Sequence, residues 1–306
     1  MDAAPLPPAD LRGRTVLVTG ANAGIGYWCA EQLAARGARV LLGCRSPERA
    51  QIAVAAIRSR VPAADLRVRV LDLGSLDSIA LAATGVGERL DAVICNAGVK
   101  AADRSARTSD DHDLMVGTNF LGHFALVAQL EPFLAPDARV VAVGSIAHRF
   151  AHLDAAALDA ASLDAPWSGS SLRQYGRSKA SLMAFTFELA RRWSGSSRAA
   201  VCAHPGYAVD PLTPPRPGLA EVSGFVRAVA SPTRALVQGK DGGALPIVHA
   251  ATASEVVDGA YWGPGGLLEF RGTPTRVTAS DDVRSAAVGA QLWTAAERLT
   301  GVRFPT

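Results

Sequence analysis

Thr19-Gly20-Ala21-Asn22-Ala23-Gly24-Ile25-Gly26 follows directly on an apolar run, residues 15–19, and leads into an amphipathic stretch. This strand, glycine turn and helix decide the fold. Glycine permits the tight turn and lets backbone N–H groups approach a pyrophosphate, whose charge is favoured by a helix N-terminus. A glycine turn without a ligand is the plain alternative, and the strand and helix on either side argue against it. Outward from the turn, short aliphatic or β-branched runs recur at 15–19, 39–43, 66–71, 92–95, 139–144 and 199–203. Between them, helical patterns span 24–36, 47–60, 76–83, 113–134 and 172–193. Strands that are apolar without alternation are covered on both faces, and strands alternating with helices build a parallel sheet. The expectation is an α/β fold: one doubly wound, Rossmann-type parallel-sheet domain over 1–306, with helices on both faces.

Composition narrows the classes. The 306 residues are 49% hydrophobic and 19% charged, with a formal net charge of only +3. That excludes a disordered chain and gives no electrostatic case for nucleic acid. No run approaches 18 apolar residues, and the first ten residues lack both a basic start and an apolar stretch, so neither a membrane span nor a secretory signal is expected. Cys29, Cys44, Cys95 and Cys202 are widely spaced, with no CxxC pair, which reads as reduced thiols in a cytoplasmic protein. The six histidines form no HxxxH or HxH pair, so no metal site is expected. His148 and His204 read as satisfied or capping histidines, and Trp167, Trp193 and Trp293 as packing anchors. An Arg- and Ala-rich composition fits a bacterial source.

Two segments break the rhythm. Residues 150–171 form a polar, Ala-rich insertion, and 205–218 carry Pro205, Pro211, Pro214, Pro215 and Pro217, which excludes regular core structure. Both follow the carboxyl ends of expected strands, where ligands bind in open α/β sheets. Residues 205–240 are therefore taken as a substrate lid after the sixth strand, 241–306 as a C-terminal extension and 1–13 as an N-terminal tail.

At the end of the second strand a carboxylate would bond the 2′-hydroxyl of NAD. This chain has Gly43-Cys44-Arg45-Ser46 there, and Arg45 could meet a 2′-phosphate, so NADP(H) is expected over NAD(H). Tyr175-Gly176-Arg177-Ser178-Lys179 opens a helix, and a spacing of four puts both side chains on one face. With four tyrosines and only three lysines (Lys100, Lys179, Lys240), such a pair has a chance expectation of about 0.04. A phenol is a poor acid or base at neutrality, and a nearby ammonium stabilises the phenolate. Tyr175 could then exchange a proton while hydride moves at a nicotinamide. Ser145 ends the fifth expected strand, where its hydroxyl could reach a substrate carbonyl.

Together these motifs resemble the classical short-chain dehydrogenase/reductase family. The cofactor turn, Asp72-Leu73, Asn96-Ala97-Gly98, Asn119, Ser145, Tyr175, Lys179 and Pro205-Gly206 occur in the family's order, across roughly residues 14–210. The resemblance implies that Gly20, Asn22, Ala23, Gly24, Ile25, Gly26, Arg45, Asp72, Leu73, Asn96, Ala97, Gly98, Pro205 and Gly206 line the cofactor, with Asp72 beside the adenine. It implies that Asn96 supports the sheet, that Asn119 holds a relay water and that Ser145 orients the carbonyl. Tyr175 would be the acid or base, and Lys179 would hold the nicotinamide ribose and lower the tyrosine pKa. Asn119-Phe120-Leu121-Gly122-His123 and His204-Pro205-Gly206 are further similar to the retinol-dehydrogenase-like and protochlorophyllide-reductase-like branch, where NADP(H) use is common.

Three departures stand out: Gly144 in place of a second serine, Asp210 where the family often has threonine, and a last strand with 259–263 as its best candidate. Asp210 is expected near the nicotinamide end of a lid that orders with cofactor. The activity expected is interconversion of a carbonyl and an alcohol on a moderately apolar small molecule. Reduction of C=C or C=N bonds, or a non-catalytic NADP sensor, stays open, as does assembly as a homodimer or homotetramer.

Overall fold

The computed structural model describes residues 10–220 and 222–305; most of the expected tail, 1–9, lies outside them. The strands are β1 (Thr15–Thr19), β2 (Arg39–Cys44), β3 (Leu66–Val70), β4 (Leu90–Cys95), β5 (Leu134–Val143), β6 (Ala199–Ala203), β7 (Tyr261–Pro264) and β8 (Pro274–Arg276). The helices are α1 (Gly24–Ala34), α2 (Pro47–Arg58), α3 (Leu76–Thr84), α4 (Leu114–Val116), α5 (Gly122–Leu130), α6 (Ala160–Asp164), α7 (Ser171–Arg192), α8 (Gly224–Ala230), α9 (Lys240–Thr252), α10 (Asp281–Arg284) and α11 (Ala286–Thr300). The sheet order is β3-β2-β1-β4-β5-β6-β7-β8. Pairing is parallel through β7, as in Val18 opposite Leu42 and Ile94, and β8 closes the edge antiparallel to β7. The order reverses between β1 and β4, so their carboxyl ends leave a crevice between diverging connections.

Burial explains the unbroken apolar strands. Every residue of β1 is buried, because its side chains enter alternately two cores on opposite faces of the sheet. One core packs α3, α5, α7 and α11 and is centred on Phe124, Phe185, Trp293 and Phe304, whose ring centroids lie 4.3–6.0 Å apart. The other packs α1, α2 and α9 around Tyr27, Trp28 and Ile247. Helix starts are locally encoded: Ser46, Ser75 and Ser170 accept backbone N–H groups at the ends of α2, α3 and α7.

Four expectations need correction. Residues 113–134 are not one helix. After α4 the backbone widens into a π-turn at Gly117–Leu121, resumes as α5, tightens into a 3₁₀ turn at Glu131–Phe133, and Leu134 already belongs to β5. Pro132, which a helix interior would not tolerate, marks that end. The fifth strand accordingly starts at Leu134 rather than 139 and stops before Gly144. The 150–171 insertion, expected as polar and Ala-rich, also buries Leu153, Leu158, Leu163 and Trp167 and contains α6, with a capping box at Asp159 and Ser162. The last expected strand, β7, is not the sheet edge: the unforeseen β8, only three residues long, pairs antiparallel with it.

Within 205–240 the chain divides. Arg216 makes a two-pronged ion pair with Glu31 of α1 at 2.6 and 2.7 Å and lies 4.2 Å over the Trp28 ring. From 222 to 238, including α8 and the 3₁₀ turn Ser231–Ala235, no residue is buried.

Candidate active site

The glycine turn is braced from β4. Thr19 Oγ1 accepts the backbone N–H groups of Asn96 and Ala97, both at 2.9 Å, and Asn96 Nδ2 donates to the Thr19 carbonyl at 2.8 Å. Gly26 lies so close to this brace that a Cβ there would meet Asn96 Nδ2 and the Gly20 carbonyl at 2.4 Å. Gly24, at φ +59°, faces open space. The N-cap Ala23 supplies no side-chain acceptor, unlike the serine caps of α2, α3 and α7, so the first N–H groups of α1 have no side-chain partner. An uncapped helix N-terminus below an open glycine fits a phosphate anion.

Arg45 follows β2, is exposed, and has no hydrogen bond or ion pair among the described residues. Asp72 turns on itself: its Oδ1 accepts Gly74 N at 2.9 Å and its own N–H donates to Ser78 Oγ. Leu73 is buried, and its carbonyl sits where a Cβ on Gly122 would collide at 2.2 Å, which ties the loop after β3 to α5.

Four candidates meet beyond the β4 and β5 carboxyl ends. Asn119, in the π-turn, is completely buried; its Oδ1 accepts Val99 N at 2.7 Å, and its Nδ2 donates to the Val99 carbonyl and Ser178 Oγ. Both amide hydrogens are thereby used, so the side chain clamps the loop after β4 onto α7. A π-turn interrupting a helix often marks such a functional position. Gly98 lies against this group, with Asn119 Oδ1 at 3.2 Å and Lys179 Nζ at 3.3 Å from its Cβ direction.

Ser145 begins the 3₁₀ turn Ile146–Phe150, where its Oγ accepts Ala147 N. Ser145 is near enough to Tyr175 to lower the tyrosine pKa, with no direct hydrogen bond between the two among the described residues; burial acts more strongly in the opposite direction and leaves it raised. Gly176 permits this approach, because a Cβ there would strike the Ala147 carbonyl at 2.4 Å. Lys179, one turn along α7, is buried and donates to the Val143 carbonyl at 2.9 Å. Desolvation of its ammonium pulls its pKa down to about 8. Lys179 makes no hydrogen bond to Tyr175 among the described residues.

Sequence reasoning missed what holds the loop after β6. Gln238 Nε2 donates to the Pro205 carbonyl, and Val209 N donates to the Gln238 carbonyl. Gly206, at φ +65°, fits under the Phe270 carbonyl, which a Cβ would meet at 2.4 Å. Glu269, itself at φ +59°, pairs with Arg149 at 2.7 Å and faces the buried His204 ring at 3.0 Å. No short-range pattern announces Glu269. Asp210 forms an ion pair with Lys240 at the start of α9 and is 64% exposed. Thr213 is occupied within the loop, donating to the Val209 carbonyl and accepting Lys240 N.

Among the described residues, no helix is long and apolar enough to cross a membrane, and no cluster of His, Cys, Asp and Glu could hold a metal. All four cysteines are free and buried.

Residues 14–215 match the family model for short chain dehydrogenases. The chain is 36% identical over 302 residues to dehydrogenase/reductase SDR family member 13 of Bos taurus, covering 96% of this chain and 75% of that one. It is 32% identical to human retinol dehydrogenase 13, over 97% and 88% of the two chains. Among solved structures, an uncharacterized protein from Mycobacterium Paratuberculosis superposes with a TM-score of 0.78 at 32% identity, covering 98% of each chain. A short chain dehydrogenase from Burkholderia cenocepacia J2315, in complex with NADP, superposes with a TM-score of 0.60 at 25% identity over 82% of this chain and 95% of that one.

Proposed function

We propose that this chain, which belongs to the short-chain dehydrogenase family, is an NADP(H)-dependent oxidoreductase that interconverts a carbonyl and an alcohol on a moderately apolar small molecule. The observation that carries the reading is the grouping of Ser145 and Tyr175 with the buried Lys179 one helical turn on, joined through Gly98 to the strand end that braces an uncapped glycine turn. The family binds nicotinamide cofactors. Gly20, Asn22, Ala23, Gly24, Ile25 and Gly26 would hold the pyrophosphate, with Asp72, Leu73, Asn96, Ala97, Gly98, Pro205 and Gly206 lining the rest. Arg45, exposed and unpaired among the described residues, supports a 2′-phosphate and hence NADP(H). When bound, the nicotinamide supplies or takes up the hydride.

The chain's own residues handle the proton. The Ser145 hydroxyl donates to the substrate oxygen, and the Tyr175 hydroxyl exchanges a proton with it as alkoxide charge develops. The Lys179 ammonium makes the phenolate accessible and binds ribose hydroxyls. Asn119 keeps the Gly98–Val99 loop fixed beside Lys179. Residues 205–240 close over substrate as a lid within a single-domain chain, and the four free cysteines support a cytoplasmic location.

The test is a panel of carbonyls and alcohols followed by NADPH absorbance with product analysis. NADPH consumption with ketones or aldehydes, giving the alcohol, is expected. A saturated carbonyl product would replace this reading by C=C reduction, and NADPH binding without turnover of any compound would make the protein a sensor.

A further inference from the structure

His123 is fully buried between the glycine turn and the π-turn, and the chemistry above does not use it. Its Nδ1 lies 3.0 Å from the Asn119 carbonyl oxygen and its Nε2 lies 2.9 Å from Thr19 Oγ1. A carbonyl oxygen can only accept, so Nδ1 carries the hydrogen. Burial keeps the ring neutral, pushing its pKa down to about 3, and the nearby Lys179 charge acts in the same direction. Nε2 is therefore a bare acceptor, and the Thr19 hydroxyl donates to it. That hydroxyl in turn accepts the N–H groups of Asn96 and Ala97.

The hydrogens then run one way: loop N–H groups to Thr19, the Thr19 hydroxyl to His123 at 2.9 Å in preference to the Ile94 carbonyl at 3.3 Å, and His123 to the Asn119 carbonyl. The Asn119 amide then continues to Val99 and to Ser178, next to Lys179 on α7. We propose that His123 is a positioning residue that fixes the cofactor turn and the Asn119–Lys179 group relative to each other. The inference rests on the reading that the glycine turn binds a nicotinamide nucleotide. The ring has two separable bonds, so its two ends can be cut one at a time. His123→Asn keeps an N–H donor near Nδ1 and cannot reach Thr19. His123→Gln places a polar group near Nε2 and loses the bond to the Asn119 carbonyl.

Each bond is of the kind whose loss changes an equilibrium or rate by about 5- to 10-fold. His123→Asn should weaken NADPH binding, measured by fluorescence titration, by about that factor with kcat within about twofold of the parent. His123→Gln should lower kcat by about that factor with the NADPH Kd within about twofold. In the parent protein, ¹⁵N NMR of labelled histidine should find one neutral ring protonated at Nδ1, a reading that needs no variant to fold. Equal thermal destabilisation of both variants with unchanged Kd and kcat per folded molecule would reduce His123 to a packing residue and overturn the proposal. So would an Nε2-protonated or charged ring. A parent protein that fails to bind NADPH at all would overturn the cofactor reading, and this one with it; parental binding with no split between the variants overturns only the role of His123.

Discussion

Replacing Lys179 by methionine should stabilise the cofactor-free fold at neutral pH, and the gain should fade in alkali. Burial lowers the Lys179 pKa from 10.5 to about 8. An amine whose pKa falls on folding binds more protons in the unfolded chain, so stability rises with pH through the window from about 8 to 10.5. Below that window the folded protein bears the full cost of the buried ammonium, about 3 kcal/mol for a shift of this size. Methionine fills similar space without charge, but it abandons the bond to the Val143 carbonyl, which returns about 1 kcal/mol of the gain or more. The pH dependence of the difference isolates the charge, because the buried cysteines and other titrating groups are common to both proteins. Between pH 7 and 9.5 the stability difference should shrink by about 2 kcal/mol. Urea unfolding of parent and variant under reducing conditions, at both pH values, measures it. A difference independent of pH would mean that Lys179 is hydrated in the folded state and that its ammonium is not held at a desolvation cost beside the active site.

Three further outcomes follow from the same geometry. Tyr175→Phe keeps the ring and removes the hydroxyl, so kcat should fall by about 10²–10⁴ with NADPH binding nearly intact; turnover at the parental rate would remove Tyr175 from the mechanism. Arg45→Asp should weaken NADPH by about 10-fold or more while improving NADH relative to it, as read from the two Kd values. Gly26→Ala would press a methyl group into the Gly20 carbonyl and Asn96 Nδ2, costing about 1–3 kcal/mol in urea unfolding and loosening cofactor; a silent substitution would mean that this contact relaxes freely.

What the sequence disclosed and what it hid separate along physical lines. β1, the glycine turn and α1 were legible because one face-independent apolar run, glycines at fixed offsets and a helical period all act within a dozen residues. Tyr175 and Lys179 were legible because a helix converts spacing into a shared face. The broken helix after Asp113 was not, since the run from Leu114 to Leu130 is mostly apolar and carries no periodic sign of a π-turn; that turn is held by bonds from Asn119 to Val99 and Ser178, 20 and 59 residues away. Pro132 was a usable signal for its end. β8 is three residues long, below what pattern can resolve. Glu269 reaches Arg149 from 120 residues away, through a backbone conformation that its residue type does not favour.

The stretch from 222 to 238 contributes nothing to either core, whereas the chain just before it is anchored to α1 by Arg216 and Glu31 and the chain just after it enters α9. Substitution within this stretch is therefore expected to leave both cores intact. If the proposed lid is right, substitutions and changes of length between 222 and 236 would alter access to the site with little effect on the stability of the sheet, because loop length itself costs only slowly. A graft between 222 and 236, which spares Gln238 and its bonds to the loop after β6, is the place to test whether this stretch governs substrate choice.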